Sequence, residues 1–292
     1  MKPIIYFYIP VFDEQETVGV LLYRLCEVMR NLRFDFEVLL TLDGCTDDTA
    51  EVVEPYLKRM PLRVTHNQTR QGYGRCLLGA VRRVLETSTN PRRDYFIVLD
   101  ADFSIDPGLI TAMAAGIERN VDLYLPHRFS GGRRGAGFGK RLAQLVAGKF
   151  LKLRGYSRAA ELDLFMTLRA CRVGSLRHHL QRLQELENLG PGFPASACSA
   201  FFLLALADRN RVESTLEVTE KKNRRRKSRF SIWRNLRLAL FSNTWRTATE
   251  KREETTRHRP YSRRRPSNKY RRRSSNQRKT AETGKESGKT GS

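Results

Sequence analysis

The chain has 292 residues, 40% of them hydrophobic, and 54 Lys and Arg against 31 Asp and Glu, a formal charge of +23. That is ample for one large α/β core, while the five cysteines, at 26, 45, 76, 171 and 198, lack the paired spacing of a zinc site or a disulfide framework and point to a reducing, cytoplasmic setting. The longest apolar stretch, Ala195 to Ala207, is short of the roughly 20 residues needed to cross a bilayer, and Met1-Lys-Pro leads straight into an apolar strand with no signal peptide expected.

Ile4 to Val11 reads as a buried strand, followed by the acidic turn Phe12-Asp13-Glu14-Gln15-Glu16-Thr17 and a helix from Val18 to Leu32 with Leu21, Leu22, Leu25 and Val28 on one side. A second strand, Glu37 to Leu42, empties into Asp43-Gly-Cys-Thr-Asp-Asp-Thr49, where Thr46 or Asp47 can cap a helix running through Leu57. Leu62 to Thr65 makes a short third strand, and Arg70-Gln-Gly-Tyr-Gly-Arg75 leads into a helix from Cys76 to Leu85. Tyr95 to Leu99, rich in β-branched and aromatic residues and too short for a helix, is a fourth strand whose carboxyl end carries Asp100 and Asp102. Asp106 and Pro107 then look like the cap and first position of another helix. Strand alternating with helix at this spacing predicts an α/β fold: an open, twisted, mostly parallel sheet with helices on both faces. In such a sheet ligands lie outside the carboxyl ends of the strands, where three successive ends here present polar groups.

Four of these segments carry a resemblance. Pro10-Val-Phe-Asp-Glu-Gln-Glu-Thr-Val18 resembles the Pro-X-Tyr-Asn-Glu segment of family 2 glycosyltransferases, and Asp43 to Thr49 resembles their Asp-Asp-Gly-Ser-X-Asp-X-Thr. Gly72-Tyr-Gly74 is similar to the family's Gly-X-Gly turn, and Asp100-Ala-Asp-Phe-Ser-Ile-Asp-Pro107 resembles the Asp-Ala-Asp-Leu-Ser-His-Asp-Pro of its polyprenyl (dolichyl) phosphate mannose synthase branch. Further on, Arg128-Phe-Ser-Gly-Gly132, Asp163-Leu-Phe-Met-Thr-Leu-Arg169-Ala-Cys-Arg172 and Lys227-Ser-Arg-Phe230 resemble later segments of that branch, so the likeness spans about residues 3 to 245. Departures also occur. Leu42 stands for the first Asp of the Asp-Asp pair, Cys45 for Ser, Asp13 for Asn, Leu162 for an arginine, Leu168 among expected Gly and Phe, and Leu145 for a serine. No Gln-X-X-Arg-Trp of processive members is found, which favours single transfer.

The resemblance implies a nucleotide-sugar-binding, GT-A-like domain over residues 1–246, with a donor half to about 128 and an acceptor and membrane-facing half over 129–246. It implies a metal-dependent inverting hexosyltransferase that moves a sugar, mannose or glucose, from a nucleotide sugar to a polyprenyl phosphate. Asp100 and Asp102 are the expected catalytic residues and hold a divalent cation, Mg2+ or Mn2+, which neutralises the departing diphosphate. Ser104 joins them if the strand persists, or serves as a turn hydroxyl. Pro10, Phe12, Glu14, Asp43 and Asp100 are the expected nucleotide contacts, although Phe12 also suits an ordinary core position. Arg128, Arg141, Asp163 and Arg224, or its neighbours Arg225 and Arg226, are expected at the acceptor phosphate, because guanidinium matches phosphate with paired donors. Each arginine could equally be a solvated surface charge, and Asp163 a cap or turn acid.

Two basic, aromatic-bearing segments, 138–154 and 230–245, fit helices on an anionic membrane surface, and their apolar spacing also fits packing against the sheet. From about Thr247 the chain loses apolar periodicity, so 247–292 is expected to be a disordered basic tail. The folded part points this tail to anionic lipid rather than nucleic acid, and the expected location is the cytoplasmic face of a membrane, held peripherally. Two alternatives remain. One is a family 2 enzyme acting on a glycan or small-molecule acceptor, and the other is a degenerate, noncatalytic domain with a nucleic-acid- or lipid-binding tail.

Overall fold

The computed structural model describes residues 2–103, 105–119, 121–126, 145–146, 148–149, 162–163, 166–207, 210 and 212–213. Among the described residues seven strands form one sheet: β1 (Ile4–Val11), β2 (Asp35–Asp43), β3 (Leu62–Asn67), β4 (Tyr95–Val98), β5 (Leu123–Tyr124), β6 (Arg169–Arg172) and β7 (Val212–Glu213). Their order is β3-β2-β1-β4-β6-β5-β7. The first four run parallel, and β5 pairs parallel with β7, while β6 lies antiparallel to both β4 and β5.

β1, β2 and β4 are largely apolar because both faces are covered, whereas edge strand β3 is mostly polar and exposed. Along β1 the side chains alternate. Ile5, Phe7, Ile9 and Val11 pack toward helices α1 (Val18–Arg30) and α4 (Leu109–Glu118). Tyr6 and Tyr8 pack on the other face with α3 (Tyr73–Thr87) and α5 (Ala195–Ala207); α2 is the short helix Thr49–Val53. Within α1 the buried residues are Val18, Leu21, Leu22, Leu25 and Met29, one stripe at helical spacing. Phe96 of β4 stacks on Tyr8 at 6.1 Å between centroids and meets Phe202 of α5 at 6.4 Å, so one aromatic column joins sheet to helix.

Helix α5 is apolar all round and buried along nearly its whole length, which makes it a core helix. No helix among the described residues is long and apolar enough to cross a membrane. Several element ends differ from the sequence reading, three of them with a clear local setting. The helix after β2 turns from α into a 3-10 segment over Glu54–Lys58, where Pro55 removes a backbone donor. Helix α4 begins at Leu109 rather than at Pro107. The Asp106 carboxylate accepts from Gly108 N (2.9 Å), so this acid closes a turn just ahead of the helix. Helix α3 starts earlier than expected, at Tyr73, directly after Gly72.

Candidate active site at the strand exits

Because β1, β2 and β4 are parallel neighbours, with Val11 opposite Leu42 and Tyr8 opposite Val98, their carboxyl ends open at one edge of the sheet. Beyond β1 the chain turns sharply through Asp13, whose φ of 52° lies in the left-handed region that few non-glycine residues enter. Side-chain bonds clamp this turn to the segment after β2. Asp13 Oδ1 accepts from Thr46 N (2.8 Å), Gln15 Oε1 from Asp48 N (2.9 Å) and Asp47 Oδ2 from Gln15 N (3.3 Å), while Glu14 N donates to Thr49 Oγ1 (2.9 Å). The Glu14 carboxylate accepts from the Thr17 hydroxyl at 2.9 Å, at the start of α1.

Asp13, Cys45 and Asp47 bring ligand atoms within 4.8 Å of one another. Their chemistry here is that of a strap. Asp13 and Asp47 accept the backbone bonds just given, and Cys45 Sγ donates to Val11 O (3.6 Å). Burial also pushes the Cys45 thiol up.

At the end of β2, Asp43 is buried. Its Oδ1 accepts from Gln71 N (2.7 Å) and Asn67 Nδ2 (3.0 Å), and its Oδ2 accepts from Gly72 N (2.9 Å). Two glycines make this junction possible. Gly44 has φ +70° and Gly72 φ +95°, and a Cβ on either would come within 2.7 Å of backbone, at Arg70 N and Pro191 Cα respectively. The tethered loop carries Arg70, whose guanidinium lies 4.0 Å above the ring of Phe12.

At the end of β4, Asp100 and Asp102 are partly exposed on either side of buried Ala101, and Phe103 follows with φ 54°. Left-handed non-glycine backbone thus flanks the edge at both β1 and β4, the kind of local strain that gathers at functional sites. Asp100 Oδ2 accepts a short hydrogen bond from the Thr167 hydroxyl. Behind it Arg169 is fully buried, donating to Ser199 O (2.6 Å), Ser199 Oγ (2.7 Å) and, by a short bond, Met166 O. Burial draws the Arg169 guanidinium below its ordinary value, and the charges of Asp163 and Asp100 are among those that oppose this. Burial, with Asp100 next in weight, holds the Tyr73 phenol well above its ordinary value, so it stays neutral beside the carboxylate.

Residues 6–179, more than half of the chain, match the sequence model of glycosyl transferase family 2. The chain belongs to that family. Among curated relatives it is 26% identical over 169 residues to an undecaprenyl-phosphate 4-deoxy-4-formamido-L-arabinose transferase of Edwardsiella ictaluri (strain 93-146), covering 58% of this chain and 49% of that one. It is 27% identical over 121 residues to a dodecaprenyl-phosphate galacturonate synthase of Rhizobium johnstonii (strain DSM 114642 / LMG 32736 / 3841), covering 41% and 34%. The chain thus spans about half, or less, of the length of these relatives. Among solved structures, mannosyl-3-phosphoglycerate synthase from Rubrobacter xylanophilus superposes with a TM-score of 0.54 at 14% identity, over 91% of this chain and 78% of that one. Glucosyl-3-phosphoglycerate synthase from Mycobacterium tuberculosis, solved with Mn2+, UDP-glucose and phosphoglyceric acid, gives 0.52 at 14% identity, over 85% and 80%. This likeness shows the GT-A-like fold expected from the sequence.

In this family 2 chain, six expected site residues, Pro10, Phe12, Glu14, Asp43, Asp100 and Asp102, gather at the edge formed by β2, β1 and β4. Asp163 lies apart from the strand exits in sequence yet is buried beside the Arg169 cation. Ser104, Arg128, Arg141 and Arg224 fall outside the described residues, as do segment 230–245, the tail and most of 138–154. Of the departures from the family pattern, Leu42, Leu162 and Leu168 are buried in the core, whereas Leu145 is 64% exposed. Four side chains meet the site without having been assigned a role from sequence: Arg70, Tyr73, Thr167 and Arg169. A signal existed for the last two, since Thr167 and Arg169 belong to the Asp163-to-Arg172 segment, from which only the acid was singled out.

Proposed function

We propose that this chain is a metal-dependent, inverting glycosyltransferase that moves one sugar, mannose or glucose, from a nucleotide sugar to a polyprenyl phosphate at a membrane surface. The observation that carries the reading is the β4 exit, where Asp100 and Asp102 stand at the same sheet edge as the exits of β1 and β2, with Asp100 accepting from the Thr167 hydroxyl. The names of the curated relatives, which are polyprenyl-phosphate sugar transferases and synthases, support the acceptor class. The neighbour solved with Mn2+ and UDP-glucose supports the donor class and the cation by analogy of fold.

The donor set fits a hard divalent ion. Asp100 and Asp102 supply carboxylate oxygens, as Mg2+ and Mn2+ prefer, and the polar Thr167 and Tyr73 surround Asp100. When bound, the cation supplies charge neutralisation for the diphosphate. The chain's own groups do the rest. The Phe12 and Pro10 side receives the nucleoside, with Arg70 over the Phe12 ring, and Glu14 lies in the same turn after β1. A lipid phosphate oxygen is already ionised near neutral pH, so its attack on the anomeric carbon needs no proton acceptor. The bond to the diphosphate breaks with its electron pair leaving on the nucleotide. Arg128, Arg141 and Arg224 would position that acceptor, and the basic segments and tail would hold the protein peripherally on a cytoplasmic membrane face.

The test incubates the full chain and Mn2+ or Mg2+ with a panel of nucleotide sugars and short-chain polyprenyl phosphates. A lipid-linked sugar of inverted anomeric configuration is expected. Release of free sugar with no lipid product would count against the acceptor. A second reading, transfer to a small phosphorylated acceptor, is favoured by the two superposed synthases and is read out by adding phosphoglycerate to the same panel.

A further inference from the structure

The cation reading above leaves open what aims the Asp100 carboxylate, since the terminal torsion of an aspartate is broad and weakly held by the chain itself. The antiparallel pairing of β6 with β4 supplies an answer. Val98 lies opposite Arg169, so continuing that register by two residues brings Thr167 opposite Asp100. There the Thr167 hydroxyl donates to Asp100 Oδ2. Thr167 is itself buried, and its β-branched side chain is stiff about χ1.

The backbone that carries Thr167 is pinned from three directions. The Met166 carbonyl accepts from Arg169 Nη2 and from Ser199 Oγ (3.2 Å), and Met166 N donates to Asp163 O (3.4 Å). Arg169 in turn is fastened to Ser199 of α5, whose surroundings are core. The path therefore runs from the buried helix, through Arg169 and Ser199, to Thr167 and the carboxylate.

Resting on the proposed cation site, we infer that Thr167 is a positioning residue. With Arg169 and Ser199 behind it, it presets the Asp100 carboxylate for the divalent cation of a nucleotide diphosphate. Groups that orient a ligating carboxylate usually change metal affinity by about 10- to 100-fold when removed. A Thr167→Val change keeps the shape and deletes the donor.

The test measures Mn2+ affinity by electron paramagnetic resonance on the full chain with saturating UDP or GDP, whichever raises the melting temperature of the unaltered protein. Alongside it, T167V, T167S, D100A and D102A are compared, with circular dichroism as the check on fold. T167V is expected to keep its fold and to bind Mn2+ about 10- to 100-fold more weakly, and T167S, which retains the hydroxyl, to recover the affinity. Unchanged affinity in T167V, with binding weakened in D100A, would overturn the positioning role and leave the cation site standing. Unchanged affinity in both D100A and D102A would remove the cation site and the inference with it. Should T167V not fold, Thr167→Ala is put through the same comparison.

Discussion

Asp43 and Asp100 occupy equivalent stations, each at or just past the carboxyl end of a central parallel strand, and they are built for different tasks. Asp43 is 6% exposed, and three donors from one loop converge on its two oxygens. It braces the 67–72 loop against β2, which is how the loop comes to hold Arg70 over Phe12. Asp100 is more exposed, and the Thr167 hydroxyl donates to it from the segment that leads into antiparallel β6. A carboxylate surrounded by backbone N–H groups is committed to the fold, whereas one aimed by a hydroxyl at a solvent-reached edge can take a ligand. Motif position alone does not separate the two.

The contrast is sharpest at the β4 exit. There Asp102→Asn should lower transfer about 1,000-fold, roughly 4 kcal/mol of transition-state stabilisation, without shifting the melting temperature by more than a few degrees. Steady-state kinetics and a melting curve on the same sample check it, and a comparable loss of fold would place Asp102 with Asp43 as a brace. The reverse profile is expected for Asp43→Ala. It strands the N–H groups of Gln71 and Gly72 and should cost about 3 kcal/mol in denaturant unfolding, any loss of activity following from loss of fold. Next in size is Gly72→Ala, where positive φ and a Cβ placed 2.7 Å from Pro191 Cα should cost about 2 kcal/mol in the same assay. Arg70→Ala removes one exposed cation–π contact of about 0.5–1 kcal/mol, so it should raise the donor KM only about 2- to 5-fold with kcat nearly unchanged. A fall in kcat of the same size as the β4 variants would move Arg70 into the reacting centre.

The smallest effect concerns acid stability. At Asp47, partial burial is outweighed by hydrogen bonds from Thr49 and Gln15, which hold the carboxyl below its ordinary 3.8. A native value below the unfolded one adds stability above 3.8 that is lost as pH falls through the native value. Asp47→Asn should therefore flatten the pH dependence of unfolding in that acid window by removing the stability the carboxylate adds at neutral pH, the two proteins converging in stability at the acid end. An unchanged slope below pH 3.8 would show that the strap between the β1 and β2 exits carries no linkage.

Much of the fold was readable because β1, β2 and β4 are apolar runs closely followed by acids, and β1 spans Ile4–Val11 as its pattern indicates. Strands β5, β6 and β7 were not readable. They are two to four residues long, and Arg169-Ala-Cys-Arg172 becomes a strand by pairing with β4 and β5 rather than by any period of its own. The same blindness hid Thr167, since its contact with Asp100 exists only through that antiparallel register. For Asp43 the motif gave the position, but its task depends on where the N–H groups of Gln71 and Gly72 point, which is set by the left-handed turn at Gly72. Leu42 shows the converse. A side chain in the place of a family aspartate is buried in the core, so that station can offer a ligand no polar group.

The central claim is that the β4 exit holds the cation of a nucleotide diphosphate, and titration of Mn2+ into the full chain with UDP or GDP, comparing the unaltered protein with the Asp100→Asn, Asp102→Asn double variant, tests it most directly. The account predicts saturable, nucleotide-dependent binding that the double variant lacks while remaining folded. Equal binding by both proteins would contradict it.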